Sequence, residues 1–198
     1  MAAPFDRRTP RGALVFLRPM EPEDVELVHA WQQDGEYRRL MGDPPRSLAM
    51  RRRRFDELLP EQGSDVFSFV ICRIDDGHPV GRMDLFHIDK VNGAAAFGIG
   101  IGEPALRGKG YGSDAVNALV DFAFGELRLE RVYLTTDGPN VRAQRTYLKA
   151  GFVVEARRRR AWVENGVMID EIRMSLLRED WLALDRKRSW DYIATATP

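Results

Sequence analysis

The feature that most constrains this fold is a glycine-rich segment, residues 97–113, in which an apolar strand pattern runs directly into a helical one. Its glycines are Gly98, Gly100, Gly102, Gly108, Gly110 and Gly112. Glycines that adopt positive φ let successive backbone N–H groups converge, and the N-terminus of a helix adds partial positive charge at the same place. The alternate glycines therefore predict a concave turn that binds a di- or polyphosphate, with Arg107 and Lys109 as full positive charges beside it.

Two familiar phosphate motifs do not fit this segment. No Gly-Lys-Ser/Thr follows an earlier glycine at the distance that a P-loop requires. The glycines also lack the spacing of a dinucleotide-binding fingerprint, and no two-strand parallel unit surrounds them. Taken alone, the segment leaves a second interpretation open, namely a glycine-rich connection with two solvated cations.

Apolar periodicity places strands and helices on both sides of this turn. Strands are predicted at residues 13–17, 66–74, 80–88, 94–101, 132–134, 152–163 and 167–176. Helices are predicted from Asp24 to Asp34-Gly35, from Ser47 toward Leu59-Pro60, and over 112–127, 140–150 and 179–190. Gly77 and Gly93 stand where hairpin turns need positive φ, so the middle strands form an antiparallel meander. The predicted fold class is α/β, with a single mixed, mostly antiparallel sheet of six to seven strands flanked by about four helices.

Composition excludes several functional classes. Lys plus Arg and Asp plus Glu each number 30, so the zero net charge does not favour nucleic acid or an anionic membrane as a partner. Cys72 is the single cysteine, and the three histidines lack metal-ligand spacing, so we expect no disulfide and no metal. The N-terminus has no signal-peptide core and no apolar run is long enough to cross a bilayer, so we expect a cytoplasmic protein.

A second segment, residues 140–152, gives the glycine turn a context. Together the two segments resemble the GNAT superfamily of acetyltransferases. Arg107, Gly110 and Gly112 match that family's Arg/Gln-x-x-Gly-x-Gly/Ala pattern. Its second pattern is matched by Asn140, Ala143, Tyr147, Lys149, Gly151 and Phe152. The resemblance covers roughly residues 12–182, so we expect a flexible N-terminus over 1–11, an acetyltransferase domain over 12–182 and a tail over 183–198. Within the family, the chain resembles the branch that contains ribosomal-protein N-terminal acetyltransferases and spermidine acetyltransferases. The pattern typical of that branch is Asn165-Gly166 followed by residues 170–174 in the last strand.

This resemblance implies acetyl-CoA as donor and assigns roles to particular residues. The strand at Ile99, Gly100 and Ile101 would part from the next strand, pair with the pantetheine arm and polarise the thioester carbonyl through an N–H group. The pyrophosphate would lie on the turn formed by Arg107, Gly108, Lys109, Gly110, Tyr111, Gly112 and Ser113. Asn140 would contact the pantetheine arm. Tyr147 would protonate the leaving thiolate, since reference pKa values of about 10 for tyrosine and about 8.5 for a thiol lie close together. The alternative for Tyr147 is a ring that only packs.

The general base is the residue that the resemblance does not supply. Many family members carry a glutamate in the strand before the turn, where this chain has Ala96. Asp84, Glu103 and Asp137 are candidates by strand position. Deprotonating an amine of pKa about 10.4 costs roughly 4–5 kcal/mol at pH 7, whereas an α-amine near 7.8 costs about 1 kcal/mol. A site without a strong base therefore favours the α-amine of a peptide, protein N-terminus or small molecule. A polyamine acceptor, a longer acyl donor and a non-catalytic acyl-CoA-binding module stay open.

The remaining features concern surfaces. Arginine runs at 51–54 and 157–160 are either polyanion contacts or solvated faces paired with Asp56, Glu57, Glu155 and Glu164, and the zero net charge favours the second interpretation. Trp31, Tyr37 and Met41 flank the loop at which this family shapes its acceptor pocket, and His87 could line a pocket. The aromatic residues Trp181, Trp190 and Tyr192 make a homodimer plausible.

Overall fold

One seven-stranded sheet forms the centre of the protein. The computed structural model describes residues 9–58, 60 and 62–194, so most of the predicted flexible N-terminus lies outside the described residues. The strands are β1 (Val15–Pro19), β2 (Val66–Arg73), β3 (Pro79–Asp89), β4 (Ala94–Ile101), β5 (Arg131–Asp137), β6 (Val153–Glu164) and β7 (Val167–Leu177). Their order is β1-β2-β3-β4-β5-β7-β6, and within the described chain β4–β5 is the one parallel pair. The predicted mixed, mostly antiparallel sheet is confirmed.

Helices cover both faces of this sheet. They are α1 (Asp24–Trp31), α2 (Gly35–Leu40), α3 (Leu48–Leu58), α4 (Tyr111–Asp121), α5 (Val141–Lys149), α6 (Arg178–Ala183) and α7 (Ser189–Ala194). A π-helical turn, Phe122–Glu126, extends α4. The hairpin turns are as predicted, since Gly77 and Gly93 have φ of +73° and +64° and so take a conformation that other residues rarely adopt.

Apolar side chains fill the space on each side of the sheet. On one face, α4 buries Leu119 and Val120 against strand residues such as Leu85. On the other face, α1, α2 and α3 contribute Val28, Trp31, Tyr37 and Phe55, which pack with Val70 and Cys72 of β2. Burying a large apolar side chain is worth about 1.5–3 kcal/mol. These two layers therefore fix the sheet on which the functional groups stand.

Two helix predictions were wrong. Asp34-Gly35 was expected to end the first helix, but Asp34 begins α2, because its Oδ1 accepts hydrogen bonds from the backbone N–H of Glu36 (2.7 Å) and Tyr37 (3.1 Å). An aspartate before a glycine serves equally as a helix N-cap and as a turn residue, and the sequence alone does not separate the two. The tail expected as one helix over 179–190 is divided into α6 and α7.

A buried carboxylate holds this divided tail on α4. Asp121 is 2% exposed. It accepts hydrogen bonds from Trp181 Nε1 (2.8 Å), the backbone N–H of Ser189 (2.8 Å) and the guanidinium of Arg186 (2.7 and 3.0 Å). Trp190, 44% exposed, packs its ring 6.2 Å from that of Trp181. The aromatic residues at the C-terminus therefore cover this end of α4.

We expect Asp121→Ala to lower the free energy of unfolding by about 3 kcal/mol, because it leaves Arg186 and the Trp181 indole without their acceptor. Chemical denaturation of the variant beside Asp180→Ala, an exposed carboxylate of α6, measures this directly. Equal stability of the two variants would contradict the assigned role of Asp121.

Candidate active site

The site begins where two neighbouring strands separate. β4 and β5 pair over three residues, ending at Ala96 and Tyr133. Beyond that point β4 stays paired with β3 as far as Ile101, and β5 stays paired with β7 as far as Asp137. The opening between them is a cleft of about 990 Å³. The predicted parting of the strand at Ile99–Ile101 is confirmed.

The register of β4 shows which backbone groups face this cleft. Gly102 N donates to Val80 O of β3 (2.8 Å), and in an antiparallel pair alternate residues point toward and away from the partner strand. Gly98 and Gly100 therefore bond to β3, while Ile99 presents its N–H and C=O groups, and Ile101 its N–H group, to the cleft. An extended ligand with amide groups can pair with this edge as a further strand does.

The turn after β4 has the geometry of an anion site. Gly108 and Gly110 have φ of +78° and +92°, and α4 begins at the next residue, Tyr111. The first N–H groups of a helix have no intrahelical acceptor, and the helix dipole places partial positive charge there. Gly108, Gly110, Gly112 and Ser113 line the cleft.

Asp114 fixes the position of this turn. Its carboxylate accepts hydrogen bonds from the backbone N–H groups of Ala13 (3.0 Å), Leu14 (2.8 Å) and Val15 (2.9 Å). The first turn of α4 is thereby attached to the start of β1. A phosphate bound at the N-terminus of α4 would meet donors held by the core of the protein.

Arg107 and Lys109, the two cations predicted beside the turn, differ in burial and in their partners. The Arg107 side chain, 8% exposed, pairs with Asp34 (3.0 Å) and Glu36 (2.7 Å), and it also donates to Ile101 O and Gly102 O, each at 3.2 Å. Lys109 is exposed and, like Tyr111, does not belong to the lining of the cleft. The guanidinium of Arg107 thus attaches α2 to the end of β4.

The glycines in and directly after β4 allow close packing of side chains against the strand. Gly98 and Gly100 lie in the strand as predicted, and in residues 97–113 positive φ occurs at Gly108 and Gly110 of the turn. A Cβ atom at Gly100 would lie 2.7 Å from Tyr37 Cε2 and 2.7 Å from Met41 Sδ, and at Gly102 it would overlap the Trp31 ring. The glycines therefore admit side chains of α1, α2 and the residue after α2 close to the strand.

Two of these side chains, those of Tyr37 and Met41, form a wall of the cleft, whereas Trp31 does not line it. Tyr37 and Met41 line it, as expected for an acceptor pocket, and His87 lines it as well. Phe86 and Trp162 also line it, and sequence reasoning missed both. Trp162 lies about 50 residues beyond the glycine turn, on β6, so its position depends on the strand order and on no local signal.

Tyr147 combines packing with access to the cleft. It is 7% exposed, and its ring lies 5.7 Å from that of Phe97 and 6.1 Å from that of Phe152. It also lines the cleft, as do Asn140 and Ala96. Burial raises the pKa of Tyr147 to about 12, above the reference value of about 10 on which the sequence argument relied.

The three candidate carboxylates have different surroundings. Glu103 is half-exposed and pairs with His78 at 2.8 Å. Asp84 is buried and accepts from Arg82 Nη2 (2.5 Å) and Nε (3.1 Å). Asp137 is the one carboxylate among the described residues that line the cleft. Burial raises its pKa, and the charge of Glu164 raises it further.

Comparison with known proteins identifies the family. Residues 15–153 match the Acetyltransferase (GNAT) domain family. The chain belongs to this family. A Spermidine N(1)-acetyltransferase of Escherichia coli is 31% identical over 175 residues, which are 88% of this chain and 91% of the relative. A putative ribosomal N-acetyltransferase, YdaF of Bacillus subtilis, is 26% identical over 84% of this chain and 93% of its own length. The crystal structure of spermidine N-acetyltransferase from Vibrio cholerae in complex with CoA and spermine superposes with a TM-score of 0.78 at 24% identity, covering 85% of this chain and 98% of that one.

The GNAT chain is thus an acetyl-CoA-dependent N-acetyltransferase that acts on an amine. In the described residues, no helix is long and apolar enough to span a membrane. No group of three or more His, Cys, Asp and Glu side chains within that same part of the chain could hold a metal ion.

Most side chains of the two arginine runs are exposed, and several of them pair with nearby carboxylates. Arg51 is 5% exposed and pairs with Asp43 (2.9 Å), while Arg52 and Arg53 pair with Glu26 and Glu57. In the second run Arg157 pairs with Asp170 and Arg158 pairs with Glu171. The sequence favoured arginine faces paired with acidic residues. Of the four acidic partners that the sequence suggested, Glu57 takes part in these contacts.

The glycine positions of β4 allow a matched test of the acceptor wall. We expect Gly100→Ala to lower the free energy of unfolding by about 1–3 kcal/mol, because the buried Tyr37 ring must move. Gly98→Ala is the control, since its Cβ would lie 3.7 Å from the nearest atom, Phe86 Cε1. Urea unfolding of both variants decides the matter, and a Gly100→Ala protein as stable as Gly98→Ala would show that the contact does not constrain α2.

Proposed function

We propose that this GNAT chain acetylates a primary amine of a polyamine, with Asp137 as the general base and Tyr147 as the group facing the leaving thiolate. The observation that carries the proposal is the position of Asp137 in the cleft with a raised pKa. The sequence argument for an α-amine acceptor depended on the absence of an assignable base. A carboxylate in the cleft removes that reason, because a positioned base contributes about 10²–10⁴-fold to rate and offsets part of the cost of deprotonating a basic amine.

The donor is expected to follow the open edge of β4. Its pantetheine amides would pair with the backbone of Ile99 and Ile101, with the thioester oxygen near an N–H of this segment. The pyrophosphate would accept hydrogen bonds from the turn between Gly108 and Ser113. Asn140 Oδ1 accepts from Ala143 N (3.2 Å) as the cap of α5, so its amide nitrogen is the group we assign to the pantetheine arm.

The acceptor is assigned from Asp137 and from the relatives together. The spermidine acetyltransferase relative matches nearly the whole chain. A second candidate, an α-amine acceptor, is favoured by the cations that line the cleft, since a polycation would be repelled by them. These cations are Arg39, Arg107, Arg142, Arg145 and Lys149. Thiol release from acetyl-CoA, measured across polyamines, α-amino peptides, amino acids and aminoglycosides, separates the two. Turnover confined to peptides would overturn the polyamine assignment.

We further propose that the protein is cytoplasmic and forms a homodimer. The β6–β7 hairpin exposes Val163 (69%), Val167 (62%) and Trp162 (49%), and exposed apolar side chains of this kind are commonly covered by a partner. Light scattering at several protein concentrations measures the number of subunits.

Removing the proposed base gives the first test. We expect Asp137→Asn to lower kcat at neutral pH by about 10²-fold, since the variant cannot accept the proton of the amine. The base must be deprotonated to act, and its pKa is raised, so the wild-type kcat/KM should fall below a pH that lies above the usual aspartate range. The variant should lose this acidic limb while its Kd for acetyl-CoA stays unchanged. A wild-type-like profile would exclude Asp137 as base.

Tyr147→Phe tests the opposite proton step. We expect kcat to fall by about tenfold or more, because the ring packing remains but the leaving sulfur loses its donor. The acidic limb of the pH profile and the affinity for acetyl-CoA should not change, as isothermal titration can show. Unchanged turnover would assign Tyr147 to packing alone.

A further inference from the structure

Two buried oxygen atoms beneath the acceptor wall lack partners. Tyr37 Oη and Asp84 Oδ1 are each buried and have no hydrogen-bond partner among the described residues. Tyr37 is 2% exposed and Asp84 is 8% exposed. Leaving such a group unpaired costs about 1–3 kcal/mol, so a pair of them in one place points to a ligand that completes them.

Both residues belong to the face of the sheet on which the acceptor wall stands. Asp84 of β3 is directly opposite Gly98 of β4, and residues opposite each other in a sheet share a face. Tyr37 contacts the same face one position further, at Gly100, and lines the cleft. Gly98 and Gly100 place no side chain of their own on this face of β4, the strand whose edge would hold the thioester.

The charged groups near the two oxygens are paired with one another, including Arg107, which acts on Tyr37 and pairs with Asp34 and Glu36. Arg82 donates to the other oxygen of Asp84, and Arg51, which also acts on Tyr37, pairs with Asp43. Burial raises the pKa of Tyr37 to about 12, so its hydroxyl stays neutral at working pH. Surroundings without net charge favour an uncharged ligand over a cation.

We propose that Tyr37 Oη and Asp84 Oδ1 position the reacting amine, each accepting one N–H of a neutral –NH₂ group so that its lone pair faces the thioester. This inference rests on the proposed function. Of the three protons of the incoming ammonium, one passes to Asp137 before attack and one leaves with the thiol after the C–S bond breaks. The third remains on the amide nitrogen.

The arrangement selects primary amines. A secondary amine has one N–H after deprotonation, so it would leave one buried oxygen unpaired. Sites built to receive an N–H or O–H group reject analogues that lack it far more strongly than apolar pockets reject a missing methylene.

The test compares spermidine with its analogue that carries one methyl group on each terminal nitrogen. If the acceptor measurements show turnover of α-amines instead, a peptide and its N-methylated counterpart replace spermidine and its methylated analogue. In Tyr37→Phe we expect the ratio of kcat/KM for primary over methylated amine to fall about tenfold, matching one lost hydrogen bond. The KM for acetyl-CoA should not change. Thermal stability should stay equal or rise, because the lost hydroxyl had no partner in the free protein.

A second variant keeps the inference testable independently of Tyr37. In Asp84→Asn, Arg82 should hold the amide oxygen, so the NH₂ group takes the place of Oδ1 and presents a donor to the amine. The KM for the primary amine should rise, and the ratio of kcat/KM for the primary over the methylated amine should fall. Tyr192→Phe, in α7, is the matched control.

The outcomes are distinct. If the wild type acetylates no amine, the proposed function fails. If it does, but Tyr37→Phe loses stability and keeps its discrimination, the hydroxyl is a structural group and the positioning role is overturned.

Discussion

The separation of β4 from β5 after Ala96 and Tyr133 is the constraint on which the rest of the site depends. Strands that part inside a domain leave backbone donors and acceptors that water or a ligand must satisfy. On β4 these groups belong to Ile99 and Ile101, and they stand directly before a turn that favours anions. A ligand that carries amides at one end and phosphates at the other satisfies both, which is the chemistry of the CoA arm.

The acceptor wall depends on the same strand through its other face. Gly100 lets Tyr37 and Met41 approach the backbone, and Arg107 joins α2 to the carbonyl groups at the end of β4. Arg107 also belongs to the phosphate turn by sequence, so one side chain connects the donor turn to the acceptor wall. A buried ion pair of this kind costs desolvation, and its value here lies in fixing where α2 stands.

The sequence predicts the sheet, its meander and the donor cleft well, because strand periodicity, turn glycines and a helix N-terminus are local signals. It does not show that Gly100 and Gly102 admit the side chains of Tyr37, Met41 and Trp31, since a glycine required for positive φ and a glycine required for close packing look identical in a sequence. The short helix α2 is missed because an aspartate before a glycine serves equally as a helix N-cap and as a turn residue, and Asp34 is such an aspartate. Asp137 is named among three carboxylates but not selected, because selection depends on which strand pair separates. Phe86 and Trp162 converge only through tertiary structure.

Burial acts in the same direction on Asp137 and Tyr147, the two groups proposed to transfer protons, with opposite consequences. It raises the pKa of Asp137, which makes that carboxylate a better acceptor for the proton of an amine. It also raises the pKa of Tyr147 to about 12, so full proton transfer to a thiolate of pKa about 8.5 would be uphill by roughly 5 kcal/mol. Tyr147 is therefore better suited to donate a hydrogen bond to the sulfur as the C–S bond breaks, with the proton following as charge develops. In the proposed mechanism, the cleft accordingly favours removal of a proton from the amine and stabilises the leaving group mainly by hydrogen bonding.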